Sequence, residues 1–127
     1  MADGGNKAMK RYLTPQSPTL ASAGRRMVDG FIQRSGDQEF KVRSGGFAGL
    51  GEIRQYYLRV RRNVANVKTS SPRKAEVLKA LDAYNESMAD FEAALRDKSD
   101  NQVALLRSAS KRSKAAAADL KNVTGRL

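Results

Sequence analysis

The chain contains no cysteine, no histidine and no tryptophan, and only three prolines among its 127 residues. Without Cys or His there is no thiolate or imidazole set for zinc and no disulfide framework. Neither a Cys–His nor a Ser–His–Asp nucleophile can be assembled. Paired carboxylates are the acid–base chemistry left to weigh, and a di-metal carboxylate bundle also needs the His of its Glu-x-x-His motif. Long apolar runs are missing too. The stretch from Met1 to Arg25 holds none, so neither a secretory core nor a membrane span is expected there. Ala2 stands where N-myristoylation needs Gly, and Thr124-Gly125-Arg126-Leu127 is no prenylation box. The expected location is cytoplasmic, or within a particle assembled inside the cell.

What is abundant is positive charge. Lys and Arg number 24 against 13 Asp and Glu, a formal net charge of +11, while 40% apolar residues suffice for one modest core. Composition divides the chain near Phe47. Residues 1–46 hold seven of the ten glycines and two of the three prolines, which reads as an N-terminal arm. Within it Ser17-Pro18 offers a helix cap and first residue, and Leu20, Ala23, Met27, Val28, Phe31 and Ile32 recur at helical spacing. A short amphipathic helix is expected over 18–34, stopped at Gly36. Phe40 and Val42 alternate with charged residues, which allows a brief extended piece.

From Phe47 the pattern becomes regular. Leu50, Ile53, Tyr57, Val60, Val64 and Val67 form one seam at alternating steps of three and four. Val77, Leu81, Tyr84, Met88, Phe91 and Leu95 form a second, and Val103, Leu106, Ser110, Ser113, Ala117 and Leu120 a third. The spacing predicts helices over 48–68, 72–97 and 100–123, separated by turns at Thr69–Pro72 and Ser99-Asp100. Short turns make neighbours antiparallel. Folding about the first turn sets Leu50 beside Leu95, Ile53 beside Phe91 and Val64 beside Leu81. Folding about the second sets Leu95 beside Val103 and Tyr84 beside Ser113, large against small, as a void-free core requires. The fold class read from this is all-α: an antiparallel three-helix bundle over 47–127 behind a basic arm over 1–46.

Charge is unevenly spread. The second helix carries Asp82, Glu86 and Asp90 opposite its seam, which predicts an outward acidic ridge. Arg54, Arg61 and Lys68 flank the first seam, and Arg107, Lys114 and Lys121 flank the third, where their stems cover apolar edges. Pairing of Glu92 with Arg107 is one expected internal contact. The residues expected to meet an anionic partner are Lys7, Lys10, Arg11, Arg25, Arg26 and Arg34 of the arm, Arg59 and Arg62 of the first bundle helix, and Lys111 and Arg112 of the third. The apolar side of the arm helix, Leu20, Met27, Val28, Phe31 and Ile32, is expected to dock on protein rather than on membrane.

Chemical motifs are few. Gly45-Gly46-Phe47-Ala48-Gly49-Leu50-Gly51 lacks the Gly-Lys-Ser/Thr that ends a phosphate-cradling loop, and Glu52 would repel phosphate. It reads as a joint between arm and bundle. Carboxylates on a solvated ridge lack the burial that separates an acid from a base. No catalytic, metal or cofactor residues are assigned, and no enzyme activity is expected. Helix-turn-helix, zinc-finger and RNP signatures are absent, so any nucleic-acid contact would go to the backbone. Tyr56 beside Arg59 is expected to pack at the bundle rim. The function expected is a non-enzymatic structural or assembly subunit. Its rigid helical body would be fastened by the basic arm to neighbouring copies, or to a larger particle with or without nucleic acid. The alternatives are a sequence-nonspecific nucleic-acid-binding protein and a small regulatory adaptor presenting the acidic ridge.

Overall fold

The computed structural model describes residues 3–13, 20–26 and 44–127. They form α1 (Asp3–Leu13), α2 (residues 20–26), α3 (Ser44–Ala65), α4 (Arg73–Arg96) and α5 (Gln102–Gly125). Among the described residues there is no strand, so the all-α class holds. Every seam residue read from the sequence is buried except Val103, which is half-buried. Val60, Val64, Val77, Leu81, Phe91, Leu106 and Leu120 have no exposed surface at all.

Local chemistry sets the turns. Ser71 Oγ accepts the Arg73 N–H at 3.2 Å, and Pro72 already has helical dihedrals, so Ser71 caps α4 as expected. The far end of α4 stops at Asp97, which turns to an extended conformation. Its carboxylate accepts the Ser99 N–H at 2.8 Å. The Gln102 side-chain amide then donates to the Leu95 carbonyl at 3.1 Å, satisfying a C-terminal orphan of α4 from the first residue of α5.

Ion pairs fix the directions. Arg54 of α3 meets Glu92 of α4, while Arg61, two turns further along, meets Asp82, so α3 and α4 run antiparallel. Gln102 lies against Leu95 and Arg112 against Asp90, so α4 and α5 do the same. Helix α4 packs along both, most extensively along α5. Both helices bury small residues: Ala80, Ser87 and Ala94 on α4, and Ala109, Ser113 and Ala116 on α5. Side chains this short let two backbones approach closely.

Several boundaries differ from expectation. Helix α3 begins at Ser44 and runs through Gly45 and Gly46, so the expected joint at 45–51 is helical. It ends at Ala65, before Lys68, and α5 runs on to Gly125. The larger correction lies at the N-terminus, where the arm reading placed no helix before residue 18. Helix α1 packs on α3 and α4, and its Met9 and Leu13 are wholly buried in the same core as the seams. Gly5 hid this helix. A Cβ there would collide with the Thr69 side chain in the α3–α4 turn, so the residue that reads as loop chemistry is one that close packing demands. Gly24 in α2 plays the same part, since a Cβ on it would run into the Tyr84 hydroxyl. That hydroxyl donates to the Leu20 carbonyl at 3.0 Å and fastens α2 to the middle of α4. Of the helix expected over 18–34, residues 20–26 are described and helical. Its cap at Ser17-Pro18, the stop at Gly36 and the extended piece at Phe40–Val42 lie outside the described residues.

Candidate polyanion-binding surface

The acidic ridge does not stand as expected. Asp82 turns toward α3, where it accepts the Tyr57 hydroxyl at 2.6 Å and Arg61 Nε at 2.8 Å. Asp90 turns the other way and pairs with Arg112 of α5 at 3.2 Å. Glu86 alone of the three is exposed with no ion pair among the described residues. The reason is geometric. Asp82 and Asp90 are eight residues apart, so they diverge by about 80° around the helix and lean toward opposite flanking helices. Glu92 pairs with Arg54 at 3.0 Å and with Arg96 at 2.9 Å, not with Arg107. Glu76 pairs with Arg73 at 3.0 Å. Four of the five carboxylates of α4 are therefore paired with arginines of the same chain at the protein surface.

Asp82 is held in its charged form. The hydrogen bond from Arg61 holds the Asp82 carboxyl below the usual range, with the Tyr57 hydroxyl helping and partial burial opposing. Tyr57 is pushed up to about 12, first by burial and then by the hydrogen bond and negative charge of Asp82. Burial alone pushes the Tyr84 phenol up. Among the described residues no group of three His, Cys, Asp or Glu side chains gathers to hold a metal, and no helix is long and apolar enough to cross a membrane. A shallow groove of about 330 Å³ between α4 and α5 mixes Glu76, Lys79, Asp119 and Arg126, cations and anions together.

The cations behave differently. Lys7, Lys10 and Arg11 are exposed on α1, Arg25 and Arg26 on α2, and Arg59 and Arg62 on α3. None of these seven forms an ion pair with another described residue. Lys111 is likewise exposed on α5, whereas Arg112, expected to be available, is engaged by Asp90. Arg59 lies over the Tyr56 ring at 5.8 Å, and Tyr56 is 44% exposed, so the pair presents an open face rather than a packed rim. Arg34 lies outside the described residues. So do Met27, Val28, Phe31 and Ile32 of the expected docking face. Leu20, the fifth member, is buried in the protein's own core and cannot meet a partner.

The inner Arg–carboxylate pairs were not identified from the sequence, although a signal was present. The same antiparallel register that sets Ile53 beside Phe91 also sets Arg54 near Glu92. Applied to charged positions, it would have paired Arg54 with Glu92 and placed Arg61 near Asp82. Comparison with family models, with curated proteins and with solved structures finds no match to this chain.

Proposed function

We propose that the protein is a non-enzymatic structural subunit that docks on an anionic partner within a larger assembly. The phosphate backbone of nucleic acid is the partner its charge fits best. In this reading α3, α4 and α5, with α1 and α2 packed on them, form the rigid body, and the exposed cations of α1, α2 and the outer face of α3 are its fastening surface. The observation that carries it is the division of charge. Carboxylates of α4 are held by arginines of the same chain, while Lys7, Lys10, Arg11, Arg25, Arg26, Arg59 and Arg62 stay exposed and pair with no carboxylate among the described residues. A net charge of +11 needs counter-charge from outside. The adaptor reading loses its support, because it requires the ridge that Arg61 and Arg112 occupy.

The test is fluorescence anisotropy with a short labelled duplex at stepped salt. Binding should weaken steeply as salt rises, and Arg59→Ala with Arg62→Ala should reduce the log–log slope by about 1.8, at about 0.9 per phosphate contact. No binding at low salt, or binding indifferent to salt, overturns the proposal. Light scattering with and without duplex then separates an assembling subunit, which forms multimers, from a freestanding nonspecific nucleic-acid-binding protein, which stays monomeric.

A further inference from the structure

Helix α5 carries a second basic face, which the fastening surface just described does not use. Arg107, Lys111 and Lys121 are all exposed. At about 100° per residue they fall within one sector of about 80°, and at about 1.5 Å per residue they span about 21 Å of the helix. Lys114 is exposed in the same sector. The one carboxylate of α5, Asp119, points elsewhere, into the groove shared with Glu76 and Lys79 of α4. Arg112 is likewise turned aside to Asp90. On α5 itself the strip carries Arg107, Lys111 and Lys121 and none of the helix's carboxylates, with Ala118 between the last two.

Its place in the fold matters more than its charge. Asp82 and Glu92 of α4 reach to α3, and Asp90 reaches to α5, so the two flanking helices lie on different sides of the central one. Arg59 and Arg62 point away from the buried seam of α3, Lys111 points away from that of α5, and Arg107 and Lys121 flank it at exposed positions. The two cationic faces therefore look in different directions, separated by the width of packed helices at about 8–10 Å between neighbouring axes. A single duplex lying on α3 leaves the α5 strip uncovered.

We propose that one copy of the protein bridges two nucleic-acid duplexes, holding one against α3 and the other along the Arg107–Lys111–Lys121 strip of α5. This rests on the reading of the protein as a phosphate-backbone binder and adds a second site to it. Bridging by one rigid body draws duplexes side by side, which suits a subunit that compacts or packages nucleic acid.

The experiment immobilises one duplex on beads and adds the full-length protein, followed by a second, fluorescent duplex of unrelated sequence. The wild-type chain should capture the second duplex, and should lose capture at moderate salt. The triple variant Arg107→Gln/Lys111→Gln/Lys121→Gln should still occupy the immobilised duplex, yet capture at least fivefold less of the second. Circular dichroism and a thermal melt matched to wild type show that the variant is folded. A wild-type chain that occupies the beads but captures nothing overturns the bridging proposal and leaves backbone binding standing. A triple variant that captures as well as wild type also overturns it, because bridging would then come from paired copies acting through α3. Failure of the wild-type chain to occupy the beads at all overturns the underlying reading, and bridging with it.

Discussion

Asp82 shows how one carboxylate fixes the pairing of two helices. It receives a phenol hydroxyl and a guanidinium from α3, yet its own side chain is 41% exposed, so the interaction is partly screened. Asp82→Asn or Tyr57→Phe should each cost about 1 kcal/mol at neutral pH, measured by urea denaturation. The pH dependence has two limbs. Because folding lowers the Asp82 pKa, its contribution is intact above the ordinary carboxylate range and disappears as pH falls into and below that range. The gap in stability between wild type and Asp82→Asn should therefore close in acid. Because folding raises Tyr57 to about 12, its contribution is intact below the ordinary tyrosine value of about 10 and is lost as pH rises from there toward 12. A gap that stays constant from neutral pH into acid would show that Asp82 does not hold α3 to α4.

At the scale of elements, α1 is where composition misleads. A helix of 11 residues, with only Met9 and Leu13 fully buried, is too short for its amphipathic pattern to repeat, and glycines near its start suggest a loop. Packing decides the matter instead, since Gly5 is the residue that fits against Thr69. Leu13→Ala should cost about 2–5 kcal/mol, as for a buried leucine in any core, while Lys10→Ala on the outer face of the same helix should stay within about 0.5 kcal/mol. Equal, small effects from both in thermal denaturation would mean that α1 adds nothing to the core. The seams of α3, α4 and α5 were legible because each repeats over several turns, and an error at one position does not disturb the period. Charged positions were harder to read. A helical wheel of α4 alone places Asp82 and Asp90 outside, and only the neighbouring helices, with Arg61 and Arg112 in reach, draw them in. The candidate cations at Arg59, Arg62 and Lys111 were legible for the converse reason. They sit far from every seam, where no described helix pairs a carboxylate with them.

For the molecule as a whole, charge and shape together limit what kind of recognition the proposed partner can receive. The exposed cations are distributed over α1, α2, α3 and α5 rather than gathered on one protruding element, and a net charge of +11 acts on any phosphate backbone within a Debye length. Base reading requires several side chains converging on base edges in a groove, each good bidentate contact discriminating by about 1–3 kcal/mol. Helix α3 presents Arg59 and Arg62 on its outward face, while Arg54 and Arg61 are committed to Glu92 and Asp82. Too few guanidinium groups remain on this helix to form such a constellation. Duplexes of equal length and different base composition should therefore bind with affinities within about threefold of one another, less than the tenfold that corresponds to about 1.4 kcal/mol. Inorganic polyphosphate should compete with all of them. Competition anisotropy at a single fixed salt concentration measures both, and a preference above tenfold for one sequence would show base contacts that backbone binding cannot supply.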